Sequence, residues 1–146
     1  MTRLISLALL AGAVSAAGLG LAQQATPKVN NVPIQQTPVW SGEQMFSTYC
    51  AVCHGVKGTG NGPAARSLKV APPDLTALKQ KNGGVFPANH VAAVLQSGVE
   101  NPAHGSAEMP IWGNLMLTLH SGSPDAPLMV HQRITNLTDY LKMIQK

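Results

Sequence analysis

Residues 50–55 read CAVCHG, and they hold both cysteines of the chain, Cys50 and Cys53, with His54 directly after the second. Four chemistries use a Cys-x-x-Cys pair. A structural zinc site takes four ligands and usually draws them from a second close pair, yet no other cysteine exists and the remaining histidines, at 90, 104, 120 and 131, are scattered singly. A thioredoxin-type pair sits where a strand meets a helix, whereas this pair ends a helical pattern and precedes the glycine-rich loop GVKGTGNG of residues 55–62. A disulfide across two intervening residues closes a very small loop, removes little unfolded-state entropy and gives His54 no role. Attachment of a haem uses all three residues: two thiols add across the vinyl groups of one porphyrin edge, and the adjacent imidazole becomes an axial ligand of the iron.

Upstream of the motif, Ser41-Gly42-Glu43-Gln44 has the spacing of a capping box, so a helix should begin at Gly42 or Glu43. Met45, Phe46 and Tyr49 form its apolar stripe leading into Cys50. The glycines of residues 55–62 lack the Gly-Lys-Ser/Thr ending of a phosphate loop and follow no strand. Pro63 can open a short helix through Leu68, Ala71-Pro72-Pro73-Asp74 breaks the chain, and Leu75 to Lys81 suggests another short turn. A clearer helix runs from His90 to Ser97 and should end on Gly98 in the left-handed cap conformation. A further short helix is expected around Leu115 to Leu119. Val130, Ile134, Leu137, Leu141 and Ile144 recur at steps of four and three, the period of an amphipathic helix. No segment alternates in the strand pattern over a useful length. The expectation is a small all-α domain with long loops.

The 146 residues amount to one domain. Met1 to Arg3 is a short basic start, Leu4 to Ala22 is uncharged, and small residues precede Gln23. Residues 1–22 read as a secretory signal peptide cut after Ala22 or Ala16, with a membrane anchor as the outcome if it is not cut. Residues 23–39, rich in Gln, Asn, Pro and Thr, read as a flexible leader, leaving residues 40–146 as the folded domain. Export fits haem attachment, which takes place outside a reducing cytoplasm. With two Phe, two Tyr and two Trp in the chain, so small a domain has a meagre core that a buried porphyrin would complete. The formal charge of +4 falls to +3 without Arg3 and to roughly +1 with two ionised propionates. That balance does not point to nucleic acid.

A second axial ligand should come from a downstream loop. Met1 leaves with the signal peptide, Met45 shares the helix of Cys50, and Met129 and Met143 lie on the terminal helix, where methionine serves as a soft core filler. Met109, in HGSAEMPIWG, stands 55 residues after His54 in a loop containing Pro and Gly. Met116, in the core-like NLMLTL, and the loop residue His104 are its competitors.

Taken together, CAVCHG and the later Met109-Pro110-Ile111-Trp112-Gly113 make the chain resemble a class I c-type cytochrome of the exported single-haem kind, over Gly42 to the C-terminus. Gly42, Phe46 and Cys50 fall on that family's four-residue steps, and Leu137 to Lys142 resembles its terminal helix. The resemblance implies crossing N- and C-terminal helices around one haem c, with Gly42 and Phe46 meeting Tyr140 and Leu141. It implies covalent attachment through Cys50 and Cys53 and axial ligation by His54 and Met109. The family also uses a proline carbonyl to receive the second ring N–H of the histidine, for which Pro63 has suitable spacing and Pro72 is the alternative. Trp112, beside the ligand, can donate its indole N–H to a propionate or pack against the ring. The stretch from His120 to Pro127 has no counterpart in the compact family pattern.

Iron saturated by His54 and Met109 has no open position for a substrate, so the expected role is electron transfer and not catalysis. A thioether ligand favours reduced iron and raises the potential above that of a bis-histidine haem. The expected partners are redox proteins of the periplasm or another exported compartment: a donor dehydrogenase or reductase, and an acceptor oxidase or second cytochrome. The alternatives are a five-coordinate haem enzyme or a gas or peroxide sensor, and a haem subunit docked permanently on a dehydrogenase or oxidase. No His–Arg arrangement for peroxide cleavage is evident from the positions of Arg66 and Arg133.

Overall fold

A computed structural model describes residues 34–98 and 109–146. The signal-peptide reading of residues 1–22, the leader as far as residue 33, and the candidate ligand His104 lie outside the described residues. Among these residues the fold is all helical, as the sequence pattern predicts, with no strand.

The first helix, α1, covers residues 42–54 in three continuous pieces. Gly42–Met45 is α-helical, Phe46–Cys50 is a π turn, and Ala51–His54 returns to the α form. Ser41 caps its start, its hydroxyl accepting from the Gln44 N–H at 3.2 Å, as the capping-box spacing requires. The π turn places one extra residue in the helix, the Ala51 N–H reaching back to the Phe46 carbonyl. This has a consequence for the motif. An uninterrupted apolar stripe through Gly42, Met45, Phe46 and Tyr49 would next bring Cys53 inward; with the inserted residue the buried positions become Cys50, Ala51 and His54. The imidazole is thereby turned into the protein and Cys53 is left at its margin.

Downstream, Ala65–Ser67 makes a 3₁₀ turn where the sequence suggested a short helix, and Leu75–Ala77 makes another that continues into α2, Leu78–Lys81. Next come α3, Ala88–Ser97, α4, Trp112–Thr118, and α5, Ala126–Met143. Gly98 ends α3 as expected, with φ of +78° but ψ of −169°, a positive-φ conformation distinct from the left-handed helical cap the sequence suggested. Helix α4 starts three residues earlier than its apolar run suggests, and α5 begins at Ala126 because Pro127 falls in its first turn, where a missing N–H costs nothing.

Helix α5 is the hub, packing against α1, α3 and α4, while α3 and α4 pack on each other. Of the sequence stripe, Val130, Ile134, Leu137 and Leu141 enter the core, and Ile144, just past the helix end, packs against it half-buried. Gly42 meets α5 without a side chain between them. A Cβ there would strike the Asn136 carbonyl oxygen and come within 2.7 Å of Tyr140 Cβ. The Phe46 and Tyr140 rings follow at 5.4 Å between centroids. Gly42 and Phe46 thus meet Tyr140 as the resemblance implied.

Residues 34–39, which the composition places in a flexible leader, are packed onto the domain. Ile34 lies against the core and Thr37 is buried. Their anchor is Arg133, only 2% exposed. Its Nη1 donates to Thr37 Oγ1 at 2.9 Å, its Nη2 to the Thr37 carbonyl at 2.6 Å, and its Nε to His120 Nε2 at 2.9 Å. The chain of bonds continues from the Thr37 hydroxyl to Tyr49 OH, which donates to the Gln35 carbonyl at 2.6 Å. The stretch from His120 to Pro127 finds its place here: it carries the acceptor for Arg133 and, through a turn in which the Ser123 N–H bonds the His120 carbonyl, leads from α4 into α5.

Candidate haem-attachment site

The end of α1 presents the motif. Cys50 is buried, Cys53 is half-buried, and no disulfide joins them. Burial, with the neighbouring Cys53 thiol adding to it, pushes the Cys50 pKa up to about 12. That environment keeps the Cys50 thiol protonated. Among the described residues, no group of three or more His, Cys, Asp or Glu side chains is placed to hold a metal ion, and no strand exists to build a thioredoxin-type site.

His54 is also buried, and its Nδ1 lies 3.2 Å from the carbonyl oxygen of Pro73. With Nδ1–H donating there, Nε2 is the nitrogen left for a metal. Burial lowers the His54 pKa, with the Pro73 bond opposing it, so the imidazole is held in the neutral form that a ligand requires.

The acceptor is therefore neither Pro63 nor Pro72, the two sequence candidates. Pro63 belongs to a segment folded back along α1, with the Gly62 N–H on the Cys53 carbonyl at 3.0 Å and the Ala64 N–H on the Val52 carbonyl at 2.9 Å. The Pro72 carbonyl is turned toward Gly60, where a Cβ would strike it. The next carbonyl, that of Pro73, faces the imidazole. Two adjacent prolines offered the same chemical group, and only the direction of the chain distinguishes them.

Met109 is half-buried and packs against the core cluster, just before Ile111 caps the start of α4. Met116 is fully buried on α4 and belongs to the core. Met143, read as a core filler, is instead 75% exposed on the surface of α5. Trp112 is buried at the start of α4, stacked on Tyr49 at 5.5 Å between centroids.

A sequence model of the family described as Cytochrome c matches residues 39–144. The chain belongs to the cytochrome c family. No individual curated protein matches it. Membership implies a covalently bound haem c and haem-based electron transfer, and the residues in hand fit that group on their own chemistry. Two unbridged thiols stand at the required spacing, and the next residue is a neutral imidazole with its second nitrogen engaged.

The structure does hold a His–Arg pair that the sequence did not reveal. His120 and Arg133 are brought into contact, but Arg133 spends its donors on Thr37 and on His120 Nε2. Sequence reasoning missed the pair because 13 residues and a turn separate its members. Those bonds fasten the 35–37 segment, so the pair is committed to structure.

Proposed function

We propose that this member of the cytochrome c family is a single-haem carrier that passes one electron between redox proteins outside the cytoplasm. Cys50 and Cys53 are the thioether anchors, and His54 and Met109 are the axial ligands. When bound, the haem supplies a reversible one-electron change between ferrous and ferric iron. The protein's own contribution is to hold the ligands still. The observation that carries this reading is the His54–Pro73 contact, which fixes the ring orientation and tautomer beside two free thiols. Met109 is favoured by its place at the border of the core, next to a proline, while Met116 is occupied in packing. Donor dehydrogenases or reductases and acceptor oxidases or other cytochromes are the proposed partners, and the periplasm or an equivalent exported space is the proposed location.

The test is direct. Protein denatured and run on a gel should retain haem stain and the added mass of one haem. Cys53→Ala and His54→Ala should yield little folded holoprotein. If acid acetone extracts the haem from the wild-type chain, the thioether assignment is wrong.

A further inference from the structure

The segment that follows Pro73, whose carbonyl faces His54, is held by the end of the chain. Gln145 uses its whole carboxamide: Oε1 accepts from the Lys79 N–H at 2.8 Å, and Nε2 donates to the Leu75 carbonyl at 2.7 Å and to the Leu141 carbonyl at 2.6 Å. The Lys146 N–H donates to the Thr76 carbonyl at 2.9 Å. On its other side the same segment is tied to the loop after the Cys-x-x-Cys-His motif, the Leu75 N–H bonding the Gly58 carbonyl at 2.8 Å. Asp74, between Pro73 and Leu75, accepts from the Thr76 N–H at 2.8 Å and sits 3.4 Å from Lys146 Nζ. Residues 74–76 are thus clamped from two directions immediately after Pro73. Ile144 closes the same junction, its Cδ1 lying 3.2 Å from where a Cβ on Gly58 would be.

We infer that Gln145 is a positioning residue for the axial histidine: its carboxamide fixes the 75–79 segment to α5, sets the Pro73 carbonyl against His54 Nδ1–H, and so tunes the basicity of the ligand and the potential of the iron. The inference rests on His54 being an axial ligand, as proposed above. A firmly held acceptor strengthens the Nδ1–H···O bond and increases electron donation through Nε2, which favours ferric iron. A loosened acceptor does the reverse.

The experiment compares holoprotein from wild type, Gln145→Ala, and Gly42→Ala, the last destabilised through its contact with Asn136 and Tyr140, neither of which Gln145 bonds. Two readings are taken: the midpoint potential, and solvent exchange of the His54 Nδ1–H proton by NMR in the reduced state. Gln145→Ala should raise the potential and speed that exchange, while Gly42→Ala should lower the melting temperature and leave both unchanged. Should Gln145→Ala give no holoprotein, Gln145→Met, which keeps the length of the side chain and removes its three hydrogen bonds, decides by the same readings. A lower melting temperature with wild-type potential and exchange overturns the inference and leaves Gln145 a purely structural clamp. If the wild-type spectrum lacks a histidine ligand, the His54 assignment falls instead, and the two failures are told apart before any variant is made.

Discussion

Gly42 and Tyr140 face each other with no room between them: a Cβ on Gly42 would lie 2.7 Å from Tyr140 Cβ and strike the Asn136 carbonyl. Backbone on one side cannot swing away as a flexible side chain would. Gly42→Val should therefore destabilise the holoprotein by roughly 1–3 kcal/mol or more through overpacking, with unchanged iron ligands. A thermal melt that matches wild type would remove the close approach of α1 to α5.

Arg133 is a second point of dependence. Its guanidinium is buried among neutral acceptors, Thr37 Oγ1, the Thr37 carbonyl and His120 Nε2. Removing it leaves buried acceptors unpaired and a void, so Arg133→Ala should cost about 2–4 kcal/mol. Arg133→Lys should recover little, because one ammonium cannot span three acceptors set for a planar fork. Urea midpoints measure both. Equal midpoints for wild type and Arg133→Ala would mean that residues 35–37 contribute nothing.

The same network predicts a dependence on pH. Burial, then the nearby Arg133 charge, lower the His120 pKa below its ordinary value, and Nε2 must stay unprotonated to accept from Arg133 Nε. The unfolded chain takes up the proton first as pH falls. Stability from this group is therefore complete above the ordinary histidine pKa of about 6.5 and declines as pH drops through the folded value. The fall in melting temperature between neutral and mildly acidic solution should be smaller in His120→Gln, whose amide oxygen can accept without titrating. Parallel curves for the two proteins would exclude His120 as a source of acid sensitivity.

Local signals carried much of this fold. The capping residue Ser41, the Gly98 terminus and the stripe from Val130 to Leu141 act within a turn or two, so composition and spacing expose them. Cys-x-x-Cys-His is legible for the same reason, since the reacting groups are sequence neighbours. What stayed hidden depends on direction or on distance along the chain. The π turn at Phe46–Cys50 changes which motif residue faces inward without any proline or glycine to announce it. Pro72 and Pro73 differ only in where their carbonyls point. Thr37 and Arg133 are 96 residues apart, and a Gln-, Asn- and Pro-rich segment gives no hint that a distant arginine will bind its backbone.

The final prediction concerns Met109 and separates a carrier from a haem enzyme. Met109 is half-buried at the margin of the core, followed by a proline that restricts its backbone, whereas Met116 has no exposed surface. Replacing each with alanine should give opposite results. Met116→Ala should lose about 2–5 kcal/mol of stability by opening a cavity, yet keep the weak near-infrared charge-transfer band of methionine-ligated ferric haem. Met109→Ala should lose that band, admit added imidazole and bind carbon monoxide readily once reduced. The wild-type protein should bind carbon monoxide poorly and turn over peroxide negligibly, because a ligand that stays on the iron leaves no position for either. Rapid carbon monoxide binding together with peroxide turnover in the wild type would show that Met109 does not hold the iron, and the role would then be that of an enzyme or sensor.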